Sequence, residues 1–251
     1  MAIENGEWIM YGLREDDPAC IHSAEELIAF VDEVGFLPLF KNAAAGFSVE
    51  EHTVPEYWWS EDPVRDPWLW RQQIAAGGRL AYGKLFDKKA GFLSLKWLPK
   101  FVNFRRDGYD FDSLWEDELA SMRQKKIMDC FTEQAPEHFS YALKKLAGFG
   151  KGGEKNFEGV VTGLQERTYL CIRDFRCRRN KAGQPYGWPI AVYTVPEAVW
   201  GYDNVTSAYC EQPAQSAAEI LLFAREKFPQ AEENALRKLL GISKAENTGR
   251  G

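Results

Sequence analysis

The order of elements between Ser113 and Val195 limits the fold more than any other feature of the chain. Ser113-Leu-Trp-Glu116 reads as a helix start, running to about Phe131, because a Ser and a Glu three residues on can satisfy the free N–H groups of a first turn. Pro136 sits where a second helix would begin, and Phe139, Leu143, Leu146 and Phe149 recur at helical spacing. Gly148-Phe-Gly-Lys-Gly-Gly153 breaks that helix. Phe157, Val160, Val161, Leu164 and Thr168 then mark a third helix with one apolar stripe. Two strands come next, over 169–178 and 186–195, joined by Asn180-Lys-Ala-Gly183. Trp188, Ile190, Val192 and Thr194 alternate on the second of them. Helix, helix, glycine turn, helix and basic hairpin is the order of a winged helix-turn-helix.

Upstream the pattern partly repeats. Ser23-Ala-Glu-Glu26 caps a helix with Leu27, Ile28, Val31 and Val34 on one face, and Gly35 ends it. Ser48-Val-Glu-Glu51 opens a short helix stopped near Pro55, and 68–76 reads as another. A hairpin comes after it, with strands over 79–86 and 91–97 joined by Asp87-Lys-Lys-Ala90, Gly91 in a left-handed position and Pro99 ending the second strand. Ser216-Ala-Ala-Glu219 caps a helix to about Phe228, another spans 230–240 and closes at Gly241, and 243–251 reads as a polar tail. The expected fold class is α+β, with tandem winged-helix-like units (helices plus β-hairpin wings) and packed terminal helices. The expected division is 1–131 for the first helix-and-hairpin unit and 132–251 for the second with the C-terminal helices.

Charge distribution sharpens this. The 251-residue chain has a formal net charge of −6. Residues 67–112 nevertheless carry nine Lys/Arg against four Asp, together with ten aromatic residues. Residues 151–181 hold eight Lys/Arg against four Asp/Glu. An acidic body with two basic elements can bind a polyanion locally while limiting non-specific contact. DNA is the expected partner. In the first stretch Tyr82 and Trp97 are candidates for stacking on bases, with Arg71, Lys84, Arg105 and Arg106 on phosphates. In the second, Lys155, Gln165 and Arg167 are candidates on the third helix, and Arg173, Arg176, Arg178, Arg179 and Lys181 on the wing. The two basic hairpins would then be the walls of one groove.

Other chemistries find little support. The 148–153 loop lacks Walker A spacing, so no nucleotide cofactor is expected. The three histidines are scattered and the five cysteines form no CxxC, so no metal is expected and reduced thiols in a cytoplasmic protein are the simplest reading. No run of 18 apolar residues suggests a membrane span, and the N-terminus has no basic leader. Asp107, Asp110 and Asp112 lie close together, but their spacing fits a turn and a helix cap better than a calcium loop.

Pro67-Trp-x-Trp-Arg71, Ala81-Tyr-Gly-Lys84, Lys89-Ala-Gly-Phe92, Arg105-Arg-Asp-Gly-Tyr-Asp-Phe-Asp112, Pro185-Tyr-Gly-Trp188 and Val205-Thr-Ser-Ala-Tyr209 together resemble a family of short, largely uncharacterised bacterial proteins. That family is related to the AlkZ/YcaQ-type DNA glycosylases. The resemblance covers most of the chain. It implies tandem winged helices, DNA contact and a link to the repair of alkylated or crosslinked purines. Those glycosylases use a Gln-x-Gln or Gln-x-Asp triplet to position water. No such triplet occurs here, where Gln72 and Gln73 are adjacent and Gln165 is followed by Glu166 and Arg167. Catalysis therefore does not carry over residue by residue. If N-glycosidic bonds are cleaved, Asp107 is the candidate carboxylate for supporting the cationic sugar. The alternatives are a non-catalytic winged-helix interaction module and a protein with a tryptophan-lined small-molecule pocket.

Overall fold

A computed structural model describes residues 2–4 and 7–243, with side chains described from Ile9 onward. Strands β1 (Ala2–Glu4) and β2 (Glu7–Ile9) pair antiparallel. Helix α1 (Ala24–Val34) comes next, then β3 (Phe36–Pro38), two 3-10 turns at Glu50–His52 and Pro55–Tyr57, α2 (Pro67–Gly77), β4 (Leu80–Phe86) and β5 (Lys89–Ser94). After these lie α3 (Leu98–Arg106), α4 (Phe111–Glu116), α5 (Met122–Met128), β6 (Glu137–Phe139), α6 (Ser140–Leu146), α7 (Phe157–Glu166), β7 (Cys171–Arg179) and β8 (Pro185–Thr194). The chain closes with α8 (Pro196–Trp200), α9 (Tyr202–Val205), α10 (Pro213–Lys227) and α11 (Glu233–Leu240). The fold is α+β. Two three-stranded antiparallel sheets, β3-β5-β4 and β6-β8-β7, share one plan in which the last strand lies in the middle.

Local chemistry explains most of these elements. The Ser23 hydroxyl accepts the Glu26 N–H at 3.2 Å, and the Glu26 carboxylate turns back to the His22 N–H at 2.8 Å. Gly35, at φ 83°, stops α1, and a Cβ there would lie 2.8 Å from the rings of Phe223 and Trp97. Ser121 and Gln124 form a reciprocal capping box on α5.

Several expectations are corrected. The β4–β5 turn is the two-residue Asp87-Lys88, both with positive φ, which matches the strand twist. Gly91 has no left-handed φ. It is there because a Cβ would fall 2.5 Å from the Leu37 carbonyl oxygen of the neighbouring strand. The second strand ends at Ser94, and Pro99 lies in the first turn of α3, where its missing N–H is harmless. The single helix expected over 113–131 is two helices, α4 and α5, separated by a turn with Glu118 at φ 59°. Pro136 leads into β6, whose backbone pairs with β8, before α6 begins. Ser216 is a buried residue inside α10, where it accepts from the Asn103 amide, and Pro213 starts that helix. Most of the tail expected over 243–251 lies outside the described residues.

Two cores result. The first gathers α1, α2 and the β3-β5-β4 sheet with Val205, Ile220, Ala224, Phe228, Leu236 and Leu240, so the terminal helices fold back onto the first unit. The second gathers Phe111, Leu114, Ile127, Leu143, Phe157, Leu164 and Leu170. Arg106, 2% exposed, ties the two together. It pairs with Glu197 at 2.5 Å and donates to the Thr168 carbonyl at 2.8 Å. Among the described residues no helix is long and apolar enough to cross a membrane.

Candidate functional site

The site is built around the start of α2. Asp66 is its N-cap and is 1% exposed. Its carboxylate accepts the N–H groups of Trp68 at 2.8 Å, Trp59 at 3.1 Å and Glu61 at 3.2 Å. The loop before the helix is thereby drawn back over its first turn. Trp59 (φ 61°) and Glu61 (φ 63°) are both left-handed although neither is glycine. Such backbone costs about 1–3 kcal/mol per residue and persists only where surrounding bonds impose it. Charge-assisted bonds from a buried carboxylate do so here. Trp59 is left 43% exposed, with Trp68 and Phe40 packed behind it.

The opposite wall comes from the second unit. Arg173 on β7 donates to the carbonyls of Ala75 (3.1 Å) and Ala76 (2.7 Å), which end α2. Cations suit a helix C-terminus, so this contact docks β7 along α2. Further along β7, Phe175 packs on Tyr82. Trp188 and Pro189 on β8 then face Trp59, Glu61 and Trp68 across a cleft of about 540 Å³. Arg71 and Gln72, both on α2, also line it. Arg71 lies against the rings of Trp68 (3.6 Å) and Phe175 (4.1 Å). Burial pushes its pKa below the ordinary arginine value, opposed by the neighbouring Tyr82 and Asp66. Burial also lifts the Tyr82 hydroxyl to about 12, with Arg71 opposing. Flat rings on both walls suit a planar ligand, and a cation at the lining suits one with acceptor atoms.

The residues singled out in the sequence separate into two groups. Several are internal. Tyr82 is 3% exposed in the first core, and Trp97 packs on Phe223 (4.4 Å) and Phe36 (5.8 Å). Tyr82 is closed to solvent, and Trp97 is half-buried against the first core. Gln165 is 1% exposed, so it is not a groove contact. Its oxygen accepts the Lys84 N–H at 3.0 Å, and Lys84 Nζ donates to Thr162 at 3.2 Å. That face of α7 is therefore occupied by β4. Arg105 donates to the carbonyls of Glu166 (3.0 Å) and Leu240 (3.4 Å), and burial lowers its pKa to about 10. Arg106 is the inter-unit tie already described. Arg167 rests on the Tyr169 ring at 5.4 Å. Asp107 is exposed as the left-handed C-cap of α3 and does not line the cleft.

The other group lies on the second hairpin. Arg176 is committed to Glu137 and to Asp174 (2.5 Å). Arg178, Arg179 and Lys181 are exposed at the hairpin end, as is Lys155 before α7. Arg178 leans over the Tyr141 ring at 4.5 Å. Among the described residues the two hairpins do not wall an open groove, because β4 is almost wholly buried and β7 packs directly on β4 and α2. Open space lies instead between the α2 entry loop and β8. Sequence reasoning did not assign Trp59, Glu61, Gln72 or Trp188 to a site. The signal was present in Pro67-Trp-x-Trp-Arg71 and Pro185-Tyr-Gly-Trp188, which meet at the cleft from opposite walls. Among the described residues, no group of three or more His, Cys, Asp or Glu side chains is arranged to hold a metal ion.

Fold and site define an α+β protein with two three-stranded sheets of one plan and an aromatic cleft between the α2 entry loop and β8. A family model described as AlkZ related matches residues 21–241, and the chain belongs to that AlkZ-related family. No curated protein matches it significantly. Among solved structures, the DNA glycosylase AlkZ of Streptomyces sahachiroi is similar at a TM-score of 0.44 and 12% sequence identity. The match covers 90% of this chain and 60% of that one, so this chain spans less than two thirds of the solved protein.

Proposed function

We propose that the chain is a DNA-binding protein of the repair type that holds a base, lifted from the stack, in the cleft between Trp59, Trp68 and Trp188. The observation that carries this reading is a ring-lined cleft flanked on β8 by a hairpin whose end exposes Arg178, Arg179 and Lys181. Enzymes that act on a base must take it out of the duplex, and they stack it between aromatic side chains. Cations beside such a cleft would track the phosphates. Membership of the AlkZ-related family supports the repair assignment.

Each three-stranded sheet with its helices is, in this reading, a winged helix. The first spans 24–94 and the second 122–194, so the second begins before the expected boundary at 132. Their shared strand order, with the last strand central, supports it. The second unit contacts DNA through its wing, since Thr162 and Gln165 of α7 are engaged by Lys84. Cleavage of an N-glycosidic bond would need a carboxylate near the sugar. Glu61 is the exposed carboxylate of the cleft and takes that role in preference to Asp107.

The test is pure protein with duplex DNA carrying alkylated purines. Binding that weakens steeply with salt, and abasic product that Glu61→Gln abolishes, is the expected result. Salt-dependent binding with no abasic product leaves a non-catalytic DNA-binding module, a reading favoured by the missing Gln-x-Gln or Gln-x-Asp triplet. Absence of DNA binding overturns the proposal.

A further inference from the structure

Glycine would occupy the left-handed positions 59 and 61 of the α2 entry loop without strain, yet the chain places Trp59 (φ 61°) and Glu61 (φ 63°) there. At Trp59 the fold gains packing, because the ring lies against Phe40, Trp58 and Trp68. At Glu61 it gains none. That side chain is exposed and lines the cleft, and its carboxylate has no hydrogen-bond or ion-pair partner among the described residues. Backbone strain at a residue that gives the fold no contact is a mark of function.

The bonds of the loop show what imposes the strain. Its later part is tied to α2 by Trp70 Nε1 on the Val64 carbonyl (2.8 Å) and by the Gln73 amide on the Pro63 carbonyl (2.7 Å). Residues 59–61 are tied by Asp66. Its Oδ1 accepts the N–H groups of Trp59 and Trp68, and its Oδ2 accepts that of Glu61. Capping the helix requires only the Trp68 bond. The other two reach back seven and five residues, to the two loop positions whose side chains enter the cleft. We propose that Asp66 is a positioning residue, whose Oδ2 bond to the Glu61 N–H aims the Glu61 carboxylate into the cleft. Left-handed backbone at 61 turns the side chain that way, and an ordinary negative φ would send it elsewhere. A carboxylate fixed in advance meets developing positive charge without reorganising. This rests on the reading that the cleft receives a base and that Glu61 acts at its sugar.

The experiment compares the full chain with its Asp66→Asn, Glu61→Gly and Glu61→Gln variants on duplex DNA carrying an alkylated purine. Abasic product is followed in single turnovers, affinity by anisotropy of labelled DNA, and stability by thermal melting. Asparagine at 66 has one acceptor oxygen, which serves both N–H groups at the Oδ1 position and turns an NH2 group toward the Glu61 N–H. Asp66→Asn is therefore expected to keep DNA affinity within about twofold and to form product about 100-fold more slowly, the effect of a misplaced reacting group. Glu61→Gly removes carboxylate and strain together, and is expected to lose product while melting about 2–4 °C higher than Glu61→Gln, which keeps the strain. An Asp66→Asn rate equal to the unaltered chain's, or a rate that falls only as far as affinity does, makes Asp66 a helix cap alone and overturns the inference while the base-binding reading stands. Glu61→Gly melting at or below Glu61→Gln shows that position 61 holds no strain and also overturns it, even where Asp66→Asn does not fold. DNA binding without product from the unaltered chain removes the role of Glu61 and this inference with it, and no DNA binding removes the base-binding reading as well.

Discussion

The side-chain oxygen of Gln165 accepts the backbone N–H of Lys84 at 3.0 Å, across 81 residues of chain. The Gln165 amide nitrogen donates back to the Val161 carbonyl at 3.3 Å, so both ends of the side chain are used. One glutamine thus closes a strand of the first unit against a helix of the second. Gln165→Ala leaves the Lys84 N–H facing a void and is expected to destabilise the protein by about 1–3 kcal/mol. Urea denaturation followed by far-UV circular dichroism checks this, and an unchanged midpoint would show that the two units do not depend on the contact.

Arg176 fixes the second hairpin to β6 through Glu137, and this predicts an acid-sensitive hairpin. The hydrogen bond from Arg176 holds the Glu137 carboxyl below the usual carboxylate range. A folded-state pKa below the unfolded one means that the pair adds stability above the unfolded value, about 4.3, and loses it as pH falls through the folded value. Thermal melts are expected to show stability declining below about pH 4, with Glu137→Gln declining less steeply over the same window. Parallel profiles for the two proteins would remove Glu137 as the source.

Trp188 is 85% exposed, so its ring contributes little to the folded state. Trp188→Ala is expected to change unfolding free energy by less than about 0.5 kcal/mol. The same variant is expected to bind DNA with an unpaired base about 1–3 kcal/mol more weakly, the value of one base–aromatic stack. Anisotropy titrations beside melting curves separate the two effects. A variant that melts early and binds normally would make the ring structural.

Arg178, Arg179 and Lys181 are the exposed cations of the hairpin end, whereas Arg173 and Arg176 are engaged within the fold. Replacing the three exposed residues by Ala is expected to lower the slope of log affinity against log salt by up to about 3, close to one unit per phosphate contact. Replacing Arg173 is expected to destabilise the protein without a matching change in slope. Titrations at several salt concentrations provide the check, and an unaltered slope in the triple variant would remove the hairpin from the DNA contact.

Much of the fold could be read locally. The Ser23 cap, the α1 stripe, the third helix from Phe157 and the β7–β8 hairpin all arise from spacing and capping within a few residues. The departures come where distant groups compete. Phe139 shares a helical spacing with Leu143 and Leu146, yet β8 offers backbone partners to Glu137–Phe139, and that segment becomes a strand. Ser216 has a capping pattern, yet Asn103 claims its hydroxyl in mid-helix. The cationic and aromatic stretch 67–112 was legible as unusual, but its rings went largely to the core and Arg105 and Arg106 went to backbone carbonyls.

The sequence by itself determined the α+β class, the β4–β5 and β7–β8 hairpins and the cations of the second, because apolar period, caps and turn residues act over one or two turns of chain. Only the tertiary structure decided which polar groups remain for a ligand. Docking β7 on α2 buries Tyr82, engages Arg173, and brings Trp188 opposite Trp59 and Trp68. Whether an arginine is a surface cation or an internal clamp depends on the acceptors and rings that surround it. Those arrive from distant segments of the chain, as Arg173 does at the end of α2, 97 residues from Ala76.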